Sequence, residues 1–126
     1  ILMNSQGKIS EGPGSCLFIV RDGVLITPPI TASILESITR DTIIKLARDV
    51  LNIETIERDI DRTELYICDE AFLCGSAMEI APVTNVDGYT VSGGEPGVAT
   101  QTILKAYIDL VTGKNKNFDF WNTEIY

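Results

Sequence analysis

Three short segments carry residue types that could take part in ligand binding. Glu11 ends a predicted strand just before a Gly-Pro-Gly loop, where a carboxylate could be buried against a cationic ring nitrogen. Ser37 is a predicted helix N-cap, and the unpaired N–H groups at a helix start can bind phosphate. The bend at residues 75–77 (Gly-Ser-Ala) could expose N–H groups and a hydroxyl. Taken singly, each feature is more often a surface acid, an ordinary capped helix or a turn.

The hydrophobic pattern predicts elements that would position these segments in a mixed α/β chain with one compact core. A continuous apolar run indicates a strand at residues 16–20 that is buried on both faces. Asp22-Gly23 predicts a hairpin turn into a second strand at residues 24–27. The period of apolar residues predicts helices at 38–51 and 98–112. Further strands are expected at 1–3, 8–11, 53–60, 71–73 and 78–86, with a short helix ending near residue 66 and a second hairpin at Asp87-Gly88.

The apolar faces and the tail of these elements are also predicted. The stripe of the first helix consists of Ile43, Ile44, Leu46, Ala47, Val50 and Leu51. That of the second consists of Ile103, Leu104, Tyr107, Ile108 and Val111. The aromatic residues Phe118, Phe120 and Trp121 indicate that the C-terminal tail docks on another surface instead of extending freely into solvent.

Composition excludes several classes of function. The net charge is −8, from 18 acidic and 10 basic residues, and no basic run is present, so a nucleic-acid partner is not expected. No apolar stretch approaches the roughly 20 residues that a membrane helix needs. The chain has no histidine, which excludes Ser-His-Asp and Cys-His catalysis and histidine-based zinc sites. The glycine-rich loop at residues 93–97 lacks the Lys-Ser/Thr of a P-loop.

The three cysteines predict neither a disulfide framework nor a metal site. Cys16, Cys68 and Cys74 are odd in number and have no metal-ligand or redox spacing. We therefore expect buried, reduced thiols, which are typical of a cytoplasmic protein.

Ordered blocks along the chain match the pattern of a known enzyme family. They read ISEGPGSCLF at residues 9–18, GVLITPP at 23–29, ILESITR at 34–40 and DEAFLCGSAMEIAPV at 69–83. Together they resemble the class IV, or fold type IV, pyridoxal-phosphate (PLP) aminotransferases. The block GSAMEIAPV is most similar to that of the branched-chain enzymes. Departures from the family pattern include Cys16, where asparagine is usual, and Glu36-Ser37, where Pro-Gly is usual.

The resemblance implies a D-amino-acid-aminotransferase-like fold and a cofactor site. Residues 1–126 would form a single domain, the C-terminal PLP-binding domain, as a pseudo-barrel of strands with packed helices. Glu11 would contact the pyridine nitrogen of PLP, and Leu35 would pack on its ring. Ile38 and Thr39 would donate backbone N–H groups to the phosphate.

The turn at Ser76-Ala77 has a double role in this resemblance. The Ser76 hydroxyl would bind the cofactor phosphate, and the backbone of Ser76 and Ala77 would help to hold the substrate carboxylate. No catalytic residue is expected within the chain, because the family's Schiff-base lysine lies upstream of the Ser-Glu-Gly block and so before Ile1. The apolar start at residues 1–3 is interpreted as a cut inside a strand.

The implied activity is transamination of Leu, Ile and Val with 2-oxoglutarate by a longer parent protein, with these residues inactive alone. A homodimer or higher homo-oligomer in the cytoplasm is expected, without nucleic-acid or membrane partners. Alternatives within the same fold are a D-amino acid aminotransferase and an aminodeoxychorismate lyase. A noncatalytic binding or assembly domain is the alternative from another class.

Overall fold

The structure, a computed structural model, describes residues 1–123. Its strands are β1 (Glu11–Gly12), β2 (Ser15–Arg21), β3 (Val24–Thr27), β4 (Thr55–Glu57), β5 (Glu70–Gly75), β6 (Glu79–Pro82), β7 (Asn85–Val86) and β8 (Tyr89–Thr90). Its α-helices are α1 (Ile38–Asp49), α2 (Glu64–Ile67) and α3 (Val98–Val111). Short 3₁₀ helices span Ile30–Ala32, Ser92–Gly94 and Lys116–Trp121. The mixed α/β class is as predicted.

Strand β2 lies at the centre of the main sheet, whose order is β4-β3-β2-β5-β6. It pairs antiparallel with β3 and β5 and, at its first residues, with β1. Strand β4 runs parallel to β3, which needs the long connection that α1 supplies. The predicted turn between β2 and β3 is confirmed. Asp22 and Gly23 have positive φ angles of 51° and 79°, as a tight hairpin turn requires.

Both faces of the sheet are covered, which explains why residues 16–20 are buried without alternation. Cross-strand partners share a face, and on one face the rings of Phe18 and Phe72 stack with centroids 5.0 Å apart. Helices α1 and α3 pack on this face. On the other face, Leu17 and Ile19 pack with Ile60 and with Leu65 of α2. The strand predicted to be buried on both sides is therefore confirmed.

The predicted helices differ from the observed ones mainly at their C-terminal ends. Helix α1 ends at Asp49 rather than residue 51, and the next two apolar residues pack on the core from outside the helix. In α3 the inward positions are held by Ile103, Tyr107 and Leu110. The prediction that Val111 belongs to the buried stripe is wrong, because that side chain is 47% exposed and Leu110 takes the inward position.

Two predicted strands are shorter than expected. Of residues 53–60, only Thr55–Glu57 pair with β3. Strand β3 has only four residues, so it cannot pair along the whole predicted length. The predicted strand at 78–86 is split into β6 and β7. Strand β6 ends at Pro82, although the N–H of Val83 still donates to the carbonyl of Ala71 at 2.8 Å.

The remaining predictions for the ends of the chain hold in part. Residues 1–3 and 8–11 are joined by a turn, but outside β1 they form only isolated bridges such as Met3 with Ile9. Phe118 and Trp121 pack on the core as predicted, whereas Phe120 is exposed. Within residues 1–123 no helix has the length and apolar character needed to cross a membrane.

Candidate ligand-binding cleft

A cleft of about 330 Å³ opens where α1 begins, beside the ends of β1, β2 and β5. Small-molecule pockets in proteins are commonly about 300–1,000 Å³. The lining comes from Glu11, residues 14–16, residues 35–38 and residues 74–76. Chain segments that are distant in sequence therefore meet at one end of the sheet.

The strand register places three of the lining residues in one row. Glu11 is paired with Cys16, and Cys16 is paired with Cys74 on the next strand. Side chains of directly paired residues point to the same face, so all three lie on the face that α1 and α3 cover elsewhere. Oε2 of Glu11 accepts a hydrogen bond of 2.8 Å from the backbone N–H of Leu35. This bond ties β1 to the segment that leads into α1.

The first turn of α1 presents unpaired N–H groups at the cleft. Ser37 caps the helix as predicted, its Oγ accepting from the N–H of Arg40 at 3.3 Å. Among the described residues, no group accepts a hydrogen bond from the N–H of Ile38 or Thr39. Such groups lie at the positive end of the helix dipole. This end of the cleft is therefore suited to an anion.

Arg40 fixes the position of that helix start. It is 5% exposed, and its guanidinium donates to Oγ1 of Thr27 at 3.3 Å, to the carbonyl of Pro28 at 2.7 Å and to Oε2 of Glu57 at 2.7 Å. These bonds join α1 to the ends of β3 and β4. This role of Arg40 in positioning α1 was not predicted from the sequence. The Ile-Thr-Arg motif at residues 38–40 was the feature that could have indicated it.

The turn after β5 closes the cleft by a close backbone contact. A Cβ atom on Gly75 would lie 2.9 Å from the carbonyl oxygen of Gly14, nearer than real Cβ contacts allow. The absence of a side chain at Gly75 therefore permits the β1–β2 turn and the turn at Ser76 to meet.

Two thiols form part of the cleft lining. The neighbouring Cys74 thiol, helped by Ser37 and the charge of Arg40, lowers the pKa of Cys16 to about 7 against the opposing effect of burial. The same interaction, together with burial, raises the pKa of Cys74. Sγ of Cys16 also lies 3.8 Å from the carbonyl oxygen of Leu35. All three cysteines are buried and free, as predicted.

Four of the predicted site residues line this cleft: Glu11, Leu35, Ile38 and Ser76. Leu35 and Ile38 are 70% and 86% exposed, so they offer apolar surface at its rim. The side chain of Thr39 is buried and does not line the cleft, which leaves only its backbone N–H for the predicted role.

Ala77 is exposed in the turn after Ser76 and also does not line the cleft. Sequence reasoning missed Ser15 and the two thiols as lining residues, because their positions depend on strand register. Residues 1–123 contain no group of three or more histidine, cysteine or acidic residues that could hold a metal ion.

Comparison with known proteins matches the chain to aminotransferases. A sequence model of amino-transferase class IV matches residues 1–86. The probable branched-chain-amino-acid aminotransferase of Aquifex aeolicus is 42% identical over 126 residues, all of this chain and 40% of that protein. The branched-chain-amino-acid aminotransferase of Escherichia coli K12 is 46% identical over 125 residues, 99% of this chain and 40% of that protein.

Solved structures give the same result for the fold. The branched-chain amino acid aminotransferase of Thermobaculum terrenum in its PLP-form (holo-form) matches 97% of this chain and 40% of its own, with a TM-score of 0.94 and 50% identity. The branched-chain aminotransferase of the archaeon Thermoproteus uzoniensis with norvaline matches 100% of this chain and 41% of its own, with a TM-score of 0.94 and 45% identity. The chain thus spans about 40% of the length of the relatives it matches. The fold implied by the sequence blocks is confirmed, and the chain belongs to the class IV aminotransferase family.

Proposed function

We propose that these residues form the C-terminal, PLP-binding part of a longer aminotransferase that acts on branched-chain L-amino acids. The cleft at the start of α1 carries this proposal, because it combines a carboxylate, an open helix N-terminus and exposed apolar side chains. Support for the substrate class comes from the similar proteins, which are named branched-chain-amino-acid aminotransferases.

The chemistry of the cleft fits PLP, which has an anionic phosphate, a flat ring and a basic ring nitrogen. The free N–H groups of Ile38 and Thr39 would bind the phosphate, with the Ser76 hydroxyl beside them. Leu35 would lie against the ring, which accounts for an exposed leucine next to a polar cleft. Glu11 would accept a hydrogen bond from the ring nitrogen.

The roles of the chain's own groups follow from charge and position. The Glu11 carboxylate would hold a proton on the ring nitrogen, while its bond to the Leu35 N–H keeps it oriented. The dipole of α1, held in place by Arg40, would balance the phosphate charge. The backbone at Ser76 and Ala77 would help to hold the substrate carboxylate. When bound, PLP supplies an electron sink for the carbanion formed at the substrate Cα.

None of the residues that line the cleft is a lysine. On α1, Lys45 forms an ion pair of 2.6 Å with Asp41 on the outer surface. We propose that the amine required for transamination comes from another part of the full-length protein and that these 126 residues alone are inactive. We further propose a homodimer or higher homo-oligomer in the cytoplasm, a reducing compartment in which three free cysteines are expected.

The test is an assay of the full-length protein with PLP and 2-oxoglutarate. We expect transamination of Leu, Ile and Val and no turnover by residues 1–126 alone. Turnover of D-alanine or of aminodeoxychorismate in place of Leu would contradict the proposed substrate class and favour the alternatives within this fold. PLP binding without turnover of any of these compounds would indicate a noncatalytic domain.

A further inference from the structure

Cys16 and Cys74 face each other across two neighbouring antiparallel strands. They are direct partners in the register of β2 and β5, and both line the cleft. Directly opposite residues in such a pair have Cα atoms about 4.5–5.5 Å apart. Disulfides form at Cα separations of about 4.4–6.8 Å. The backbone separation typical of such a pair is therefore compatible with a disulfide.

Cys16 is the more acidic of the two thiols. The Cys16 thiol lines the cleft beside Ser37 at the start of α1, and the neighbouring Cys74 thiol and the charge of Arg40 favour its thiolate. Thiolates are the nucleophilic form of cysteine. Cys74 lies directly opposite on the neighbouring strand, so its sulfur is placed to attack an oxidised Cys16.

Cys68 provides an internal contrast. It lies in the core on the opposite face of the sheet, where its thiol donates to the carbonyl oxygen of Leu65 at 3.5 Å. Burial raises the pKa of Cys68, which disfavours its thiolate. It follows α2, outside the strands, and has no cross-strand partner among the described residues.

We propose that Cys16 and Cys74 form a redox-sensitive dithiol, and that its oxidation to a cross-strand disulfide lowers the affinity of the cleft for PLP. The effect on PLP rests on the function proposed above. The oxidant is hydrogen peroxide or an equivalent peroxide.

Oxidation by peroxide takes place in two steps. The Cys16 thiolate attacks one peroxide oxygen and releases hydroxide, which leaves a sulfenic acid at Cys16 Sγ. Sγ of Cys74 then attacks Cys16 Sγ, the S–S bond forms, and the sulfenic oxygen leaves as water with the proton of Cys74. The two thiols lose two electrons and two protons, and the peroxide becomes two water molecules. A small thiol reverses the reaction by thiol–disulfide exchange.

The disulfide would change the floor of the cleft. Opposite Cβ atoms in a sheet lie about 4.5–5.5 Å apart, whereas the Cβ atoms of a disulfide lie about 3.5–4.5 Å apart. Strands β2 and β5 would therefore move closer to each other at this pair. Oxidation also removes the Cys16 thiol proton from the carbonyl of Leu35. Leu35 belongs to the segment that leads into α1. A movement of this segment would therefore change both the proposed position of the PLP ring and that of its phosphate.

The experiment uses the full-length protein, first stripped of PLP and reduced, and then treated with hydrogen peroxide. Peptide mapping should find a peptide joined through Cys16 and Cys74, lighter by two hydrogens than the reduced pair. The Kd for PLP should rise by about tenfold or more, and dithiothreitol should restore it. Protein saturated with PLP before treatment should form the disulfide more slowly.

Variants distinguish an effect of the Cys16–Cys74 disulfide from an effect of oxidation at one cysteine alone. Cys68→Ser should respond to peroxide like the wild type, because Cys68 lies on the other face. Cys74→Ser and Cys74→Val should form no linked peptide and should lose less PLP affinity on oxidation. Peptide mapping of the wild-type protein does not depend on any variant. The proposal therefore stays testable even if a variant fails to fold.

Several results would overturn the proposal. These are thiols at Cys16 and Cys74 that persist under peroxide, a disulfide that leaves the Kd for PLP unchanged, and an equal loss of affinity in the Cys74 variants. Failure of the reduced protein to bind PLP would instead overturn the proposed function, and with it the effect on PLP. A mapped Cys16–Cys74 disulfide in that case would still support the dithiol.

Discussion

Two glutamates on opposite faces of the sheet are held in different ways. Glu64, on the face covered by α2, accepts two bonds from Arg58 at 2.9 and 2.7 Å, one from Arg21 at 3.0 Å and one from the N–H of Asp61 at 3.0 Å. Glu11, in the cleft, accepts one bond from the N–H of Leu35 through Oε2. Its Oε1 accepts no hydrogen bond from any group within residues 1–123.

The difference separates a carboxylate that stabilises the fold from one that is free to bind. Hydrogen bonds from Arg58 in particular lower the pKa of Glu64 to about 2, and its capacity to accept further bonds is largely used. Glu11 keeps an unused oxygen beside unpaired helix N–H groups and exposed apolar side chains. Unsatisfied polar groups that converge on a cleft favour a ligand, whereas saturated networks favour stability.

The largest effect is expected for Glu11→Gln. If Glu11 binds the ring nitrogen as proposed, loss of its charge should lower kcat/KM for Leu by about 100-fold, since a charged hydrogen bond contributes about 1.5–3 kcal/mol. The melting temperature should change little, because the glutamine oxygen can still accept from the N–H of Leu35. Steady-state kinetics and thermal unfolding of the full-length protein measure both. Unchanged kinetics would show that Glu11 does not serve the cofactor.

Glu64→Gln is the matched control and should give the reverse pattern. Removing the charge leaves Arg58 and Arg21 without their ionic partner, which should reduce the free energy of unfolding by about 1–2 kcal/mol. The Kd for PLP should stay within about twofold, because Glu64 lies on the other face. Urea unfolding and PLP titration test this pair of expectations, and a large loss of PLP affinity would contradict it.

The contribution of Glu64 should also depend on pH in a defined direction. Its pKa is about 2 in the folded state and about 4.3 in an unfolded chain, so the unfolded state binds more protons between these values. The stabilisation is therefore complete above about pH 4.3 and is lost as the pH falls toward 2. The difference in unfolding free energy between wild type and Glu64→Gln should shrink over this window. A difference that stays constant down to pH 2 would rule out this assignment.

A smaller effect is expected at Ser37, where two substitutions separate folding from binding. Ser37→Ala removes the cap bond to Arg40 and should reduce the free energy of unfolding by about 1 kcal/mol. Ser37→Asp preserves the cap but adds negative charge beside the proposed phosphate position. It should keep the stability and weaken PLP binding by roughly fivefold to tenfold. If Ser37→Asp instead bound PLP as tightly as wild type, the phosphate would not lie at the start of α1.

Local chemistry made much of the fold predictable. The Asp22-Gly23 hairpin and the Ser37 cap follow from the conformations and side-chain bonds of those residues. The limits of the strands predicted at residues 53–60 and 78–86 were not predictable in the same way, because they depend on pairing with β3 and β5. The inward position of Leu110 in place of Val111 likewise depends on how α3 lies against α1.

By itself, the sequence determined the family, the order of the elements and four of the residues that line the cleft, because motifs and periodicity are properties of neighbouring residues. Only the tertiary structure decided which of these residues meet. The row of Glu11, Cys16 and Cys74 depends on the register of three strands, and the saturation of Glu64 depends on two arginines from other segments. Such pairings are set by packing between distant parts of the chain, which local propensities do not encode.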